Sequence, residues 1–259
     1  MSGVVARRCA GVVAAVLVLF GVQAGTASAA GASTCAGGSV AAGSYSSLRI
    51  TGFCSLDSGN VTVSHNLVVA PGAALLAAFG GSDLRVGRNV SVGSGGILVL
   101  GCEPEAFPCF NDDPESPSMS TNDSVGSNLT AQGALMMLIH GNHIGRNVSQ
   151  SGGGGGVTCD LLPLGPDGPP AYSTYEDNTI GGNANISGVR TCWLGFIRNT
   201  VARNVNYTDN VLADPDGNEV VTNTIARNLN CSGNDPAPQV GDSEGQPNVV
   251  GGRSNGQCA

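Results

Sequence analysis

The chain has 259 residues, with eleven arginines and no lysine against nineteen acidic residues, for a formal net charge of −8 at pH 7. That field repels polyanions, which excludes nucleic acid and anionic membrane surfaces and leaves cations, neutral glycans and proteins as partners. The forty glycines do not signal disorder, because Gly and Asn fall at periodic positions between Val, Ile and Leu, which is turn chemistry.

Residues 1–29 read as an export signal. Arg7 and Arg8 form a basic start, Cys9 to Val22 is apolar, and Ala27-Ser28-Ala29 fits a cleavage site, so a secreted mature chain is expected to begin near Ala30. The apolar run is shorter than the roughly 20 residues of a spanning helix, and no later stretch reaches that length. Without Cys9 the cysteines are Cys35, Cys54, Cys102, Cys109, Cys159, Cys192, Cys231 and Cys258. An even set with no C-x-x-C spacing, in an exported chain, reads as disulfides rather than as zinc or redox chemistry.

Residues 30–259 form one repeating domain. A phrase of apolar, small, variable, Asn, apolar recurs about once every twenty residues. It starts at Val63, Val86, Val125, Ile144, Ile180, Val201 and Ile225, and degenerates at Val250-Gly251-Gly252-Arg253. The segments are β-branched and alternate with period two, broken by Gly and Asn, so the unit is built of strands and not helices. The fold class expected is all-β: a disulfide-stapled, right-handed parallel β-helix (β-solenoid) of about eight coils. Asn66, Asn89, Asn128, Asn147, Asn183, Asn204 and Asn228 should line one turn, where Asn tolerates the left-handed backbone and can bond to a neighbouring coil.

Two spacings are long, Val86 to Val125 and Ile144 to Ile180. Third strands are read at Ile97 to Leu100, Leu135 to Ile139, Val157 to Cys159, Arg190 to Leu194 and Val211 to Ala213. On that reading the surplus follows the third strand as inserts near 102–121 and 160–177, with a smaller one near 209–219. Inserts at one corner of successive coils would share one face, the usual place for binding. The same register points to Cys159–Cys192 across adjacent strands, to Cys102–Cys109 within an insert, and to Cys35–Cys54 and Cys231–Cys258 at the two ends.

The inserts gather carboxylates and rings. Phe107, Phe110, Tyr172 and Tyr175, with Glu176 and Asp177, are candidate ligand contacts, because rings stack on sugar faces while carboxylates bond hydroxyls. Asp112 and Asp113 are the candidate pair for an acid and a base or nucleophile in glycosidic cleavage. Asp214, Asp216, Asn218 and Glu219 offer oxygens around a Gly turn, the pattern of a calcium loop, although the rest of such a motif is absent. No other cofactor is expected. His140 and His143, with His65 elsewhere, fall short of a metal set and read as corner and strand residues. Arg88, Arg146, Arg203 and Arg227 share one repeat position and read as a solubilising row or as a grip for carboxylates.

The phrase N-T-[IV]-[GA]-[GR]-N, at Asn178 to Asn183, Asn199 to Asn204 and Asn223 to Asn228, and the ending Asn228-Leu229-Asn230-Cys231-Ser232-Gly233-Asn234 … Gly256-Gln257-Cys258, resemble a group of secreted actinobacterial proteins of uncharacterised function. The resemblance covers most of the mature chain and implies export and a right-handed parallel β-helix. It transfers no catalytic residue. Pectate lyases and polygalacturonases are more distant architectural relatives, but the Gly-His-Gly and Arg-Ile-Lys motifs of the latter are absent. The expected role is non-catalytic, a secreted or envelope-associated protein whose insert face contacts a glycan or a surface protein. The alternative is a polysaccharide-active enzyme, a glycoside hydrolase or lyase using the insert carboxylates.

Overall fold

The structure, a computed structural model, describes residues 30–57, 59–78, 80–104, 107–109, 118–241 and 245–259. Residues 1–29, where an export signal is expected, and Phe110, Asp112 and Asp113 lie outside the described residues. The described chain is all-β, in an 18-stranded, an 8-stranded and a 2-stranded sheet. No described helix is long and apolar enough to cross a membrane.

Successive repeats pair in parallel, strand on strand. One coil runs through Thr179–Ile180, Ala184–Ser187, Arg190–Thr191 and Leu194–Ile197. Each of these strands meets its equivalent in the next coil: Ile180 opposite Val201, Ile186 opposite Tyr207, Thr191 opposite Leu212, Phe196 opposite Val220. The first apolar residue of each phrase forms an unbroken inner column, Val63, Val86, Val125, Ile144, Ile180, Val201 and Ile225, each at most 2 % exposed. Full burial of such a side chain stabilises by roughly 1.5–3 kcal/mol, so the repeated β-branched residue carries the stack. All four expected disulfides are present.

The Asn column is a hydrogen-bonded ladder. Each amide from Asn89 to Asn204 donates its backbone N–H and its Nδ2 to Oδ1 of the Asn one coil earlier; Asn228 adds its backbone N–H. The left-handed backbone lies elsewhere, which corrects the reason expected for these residues. Asp177, Arg198, Asp209 and Thr222 carry positive φ, 54° to 61°, and each stands immediately before a different, buried Asn. Asn178, Asn199 and Asn223 belong to a second ladder that runs from Asn142 to Asn248. In it each side chain from Asn142 to Asn223 donates to the next coil's Oδ1 and to a strand carbonyl, and Asn248 donates to Val220 O. Asn210 starts a shorter run through Asn234 to Gln257. The buried amides satisfy carbonyls that the sharp corner would otherwise leave without partners.

The inserts depart from the expected register. The chain from Gly101 to Asp123 leaves after the strand Ile97–Leu100, as expected. The second insert instead precedes its wall strand. Gly152 to Gly156 are five successive residues with positive φ, 63° to 106°, and carry the chain out of the stack. It re-enters only at Ser173–Glu176, which pairs with Met136–His140. Val157 to Cys159 is therefore a loop and not a third strand, and Cys159 bonds Cys192 from outside the wall. The expected third strands at 190–194 and 211–213 are present but shorter, as Arg190–Thr191 and Val211–Leu212, and each is followed by a wall strand, Leu194–Ile197 and Asn218–Val221. The segment 209–219 is mostly regular coil, with only a short turn between Val211–Leu212 and Asn218–Val221.

The two long inserts thus adjoin opposite ends of strands in the 8-stranded sheet, one following Ile97–Leu100 and the other preceding Ser173–Glu176. They nevertheless converge on its outer face. Ala74, Ile97, Val99, Met136 and Leu138 point outward there, in a second buried cluster covered by Cys102, Phe107, Cys109 and Met119 of the first insert and Leu164 and Tyr172 of the second. One shared insert face exists, reached by a route that corner counting did not describe.

Candidate functional site

A groove of about 510 Å³ lies where the inserts meet. Leu138 floors it, Phe107 stands on one side and Tyr172 on the other, and Leu164 to Pro169 curves over it. Each wall residue is positioned by the fold. Phe107 pairs with Glu103 across a small antiparallel bridge, closed by the Cys102–Cys109 disulfide. Tyr172 directly precedes the wall strand. Its ring sits edge-on to Trp193, centroids 5.7 Å apart, and Trp193 Nε1 donates to Glu219 Oε1 at 3.1 Å. Burial raises the Tyr172 hydroxyl to about 12, so it stays neutral.

Beside the groove the face turns from apolar to charged. Phe107 stacks on His140, 4.3 Å between centroids and 15° between planes. His140 is 2 % exposed, and neither ring nitrogen has a hydrogen-bond partner. Burial depresses it to about 4 despite the opposing pull of Glu176 and Asp177, so it is neutral at ordinary pH. Arg198 NH2 lies 2.7 Å from both Glu176 Oε2 and Asp177 Oδ2. Glu103, on the first insert, hydrogen-bonds Asp177. Burial above all, then the bond and charge of Asp177, lifts the Glu103 carboxyl to about 8. Burial pushes Asp177 upward too, but bonds from Arg198 and Glu103 outweigh it and hold Asp177 below its ordinary value. At neutral pH this is a protonated Glu103 donating to an ionised Asp177, with Arg198 balancing the charge.

Among the expected ligand contacts, Phe107 and Tyr172 line the groove and Glu176 and Asp177 border it. Tyr175 does not. It is an inward residue of the wall strand, 0 % exposed, and its hydroxyl donates to Gln150 Oε1 at 2.9 Å inside the core. The four expected calcium ligands do not converge. Asn218 faces inward and accepts from Tyr207, Glu219 faces outward to Trp193, and Asp214 accepts the Asp216 N–H in a local turn. No cluster of three or more metal-ligating side chains occurs among the described residues. His140, Trp193 and Arg198 belong to the site although the sequence reading gave none of them a role there, and Glu103, one of the carboxylates that the inserts gather, was not singled out. Only the alternation of the wall strands, once registered, puts His140 and Glu176 side by side.

The chain matches no protein-family model, no curated protein and no solved structure.

Proposed function

We propose that the protein is an extracellular, disulfide-stapled β-helix that holds a neutral glycan in the groove between its inserts, without turning it over. One observation carries this reading: two inserts from opposite strand ends close over one sheet face and leave an aromatic-walled groove. An apolar floor between rings accommodates the C–H faces of a sugar, while the neighbouring carboxylates accept hydroxyl bonds and repel anionic sugars. Four disulfides fit an oxidising compartment, as does the export signal read at residues 1–29. The carboxylates of the site also suit binding better than hydrolysis. Glu103 and Asp177 touch one another, whereas glycosidic cleavage needs carboxyls about 5 Å or more apart.

Trp193 is the sole tryptophan and adjoins Tyr172, so it reports groove occupancy. Titration with neutral oligosaccharides is expected to change its emission saturably, and Tyr172→Ala to weaken that binding about tenfold, the loss of one stacked ring. No emission change with any neutral oligosaccharide, or an unaltered titration in Tyr172→Ala, would refute the reading.

The carboxyl of Glu103, protonated at neutral pH and beside the groove, favours a second reading in which it donates a proton to a leaving oxygen. In that case a polysaccharide panel yields new reducing ends, and Glu103→Gln lowers the rate at least a hundredfold. Absence of product across the panel removes this alternative.

A further inference from the structure

On the other large sheet, the repeat position just before the outer Asn ladder forms a column: His65, Arg88, Ser127, Arg146, Gly182, Arg203, Arg227 and Gly252. Successive members are joined by a backbone rung from each N–H to the carbonyl one coil earlier. The rungs are present from Arg88 to His65 at 2.9 Å, Ser127 to Arg88 at 2.8 Å, Arg146 to Ser127 at 2.9 Å, Arg227 to Arg203 at 3.2 Å and Gly252 to Arg227 at 2.8 Å. Two are missing among the described residues, those from the N–H groups of Gly182 and Arg203. Both residues line the same notch, of about 300 Å³, together with Arg146, Asn147, Gly181 and Asn183.

The charge pattern singles out the same place. Among the described residues the ion pairs involve only Arg85 and Arg198, so Arg146 and Arg203 face no carboxylate. Gly182 stands between them without a side chain, and their backbones are two strand spacings apart, about 10 Å. Two guanidinium groups without carboxylate partners at one concavity are the donors that an oxyanion requires. In a chain of net charge −8, repulsion disfavours a long polyanion but leaves a single anionic group free to enter a local positive notch.

We infer that the Arg146–Gly182–Arg203 notch binds one oxyanion, a carboxylate, sulfate or phosphate group carried by a small ligand or by a lightly charged glycan. The inference is independent of the insert groove, which lies on the other sheet.

The test is a nuclear magnetic resonance titration of the ¹⁵N-labelled mature chain at constant ionic strength, with separate arms for inorganic sulfate, inorganic phosphate and galacturonate, and sodium chloride as reference. The Gly182 and Arg203 amides are expected to move most and to saturate in at least one oxyanion arm; the arm that saturates at the lowest concentration identifies the group. Arg146→Gln and Arg203→Gln should each weaken that binding about tenfold, the loss of one charge-assisted contact, while Arg88→Gln and Arg227→Gln leave it within about twofold. All four side chains are exposed, so the variants should fold, and unchanged spectra away from the notch check this. The inference is overturned if chloride produces the same shifts, if none of the arms saturates, or if Arg146→Gln and Arg203→Gln bind as the parent does.

Discussion

Asn199→Ala is expected to lower the melting temperature by about 10 °C or more, far beyond Asn204→Ala in the outer ladder. Asn199 is 1 % exposed. Its Nδ2 bonds Tyr175 O at 2.8 Å, and its Oδ1 accepts the backbone N–H and the Nδ2 of Asn178 at 3.1 and 2.9 Å. Alanine takes these bonds from Tyr175 O and from the Asn178 N–H, and one of two from Asn178 Nδ2, which still donates to Ile139 O; each buried bond lost costs about 1–3 kcal/mol. It also removes support from a corner where Arg198 already adopts φ 55°. A total near 4 kcal/mol corresponds to about 10 °C in a domain of this size. Asn204 is half-buried, so water replaces most of what its side chain loses, and about 1 kcal/mol is expected. Thermal melts followed by circular dichroism decide the point. Equal losses for the two variants, or a loss under 1 kcal/mol for Asn199→Ala, would show that the buried ladder does not support the corners.

That contrast also marks how far the sequence was legible. The stacked all-β architecture could be read because one β-branched residue returns in every coil, and nothing else places Val86, Val125 and Ile144 in a single column. The terminal disulfides followed because cysteines in stacked coils meet in space whenever their coils do, and Cys102–Cys109 because both lie in one insert, whereas Cys159 meets Cys192 from a loop and not from the strand that the register assigned to it. Strand boundaries failed where inward residues are polar. Ser173, Tyr175 and Asn218 face the core, yet Ser-Thr-Tyr-Glu and Gly-Asn-Glu read as loop, because a polar side chain can enter this core only if another coil supplies its partner. For Tyr175 that partner is Gln150, twenty-five residues earlier. The site was legible in its rings and obscure in its charges. Phe107 and Tyr172 stood out as aromatics in inserts, whereas His140, Glu103 and Arg198 acquire meaning only when three coils and a loop are brought together.

The charged border of the groove should shape the pH dependence of stability, and Glu103→Gln is expected to change its alkaline side. The folded Glu103 carboxyl sits at about 8 against an ordinary 4.5, so the folded chain holds this proton more tightly than the unfolded one. Its contribution is complete below pH 4.5 and disappears as the pH rises through about 8. His140 acts in the opposite sense. Its folded value, about 4 against 6.5, means that the unfolded chain protonates first, and stability falls as the pH drops from 6.5 toward 4. Asp177, held low by Arg198 and Glu103, adds only at the acid end. Between pH 4.5 and 6.5 the two main slopes oppose one another; from 6.5 to 8 Glu103 declines without that opposition, and Asp123, whose carboxyl burial also raises, adds a fall of the same sign. The decline there is roughly 1–2 kcal/mol, because Glu103 is half-buried and solvent screens it, while the acid-side loss from His140 is about 3 kcal/mol. Melting temperatures from pH 4 to 8.5 should therefore give a plateau and an alkaline fall in the parent. Glu103→Gln, which keeps a donor for Asp177 but cannot ionise, should show a smaller alkaline fall than the parent, what remains belonging to Asp123. An alkaline fall in Glu103→Gln as large as the parent's would locate the titrating group elsewhere and remove the protonated Glu103–Asp177 pair from the account of this face.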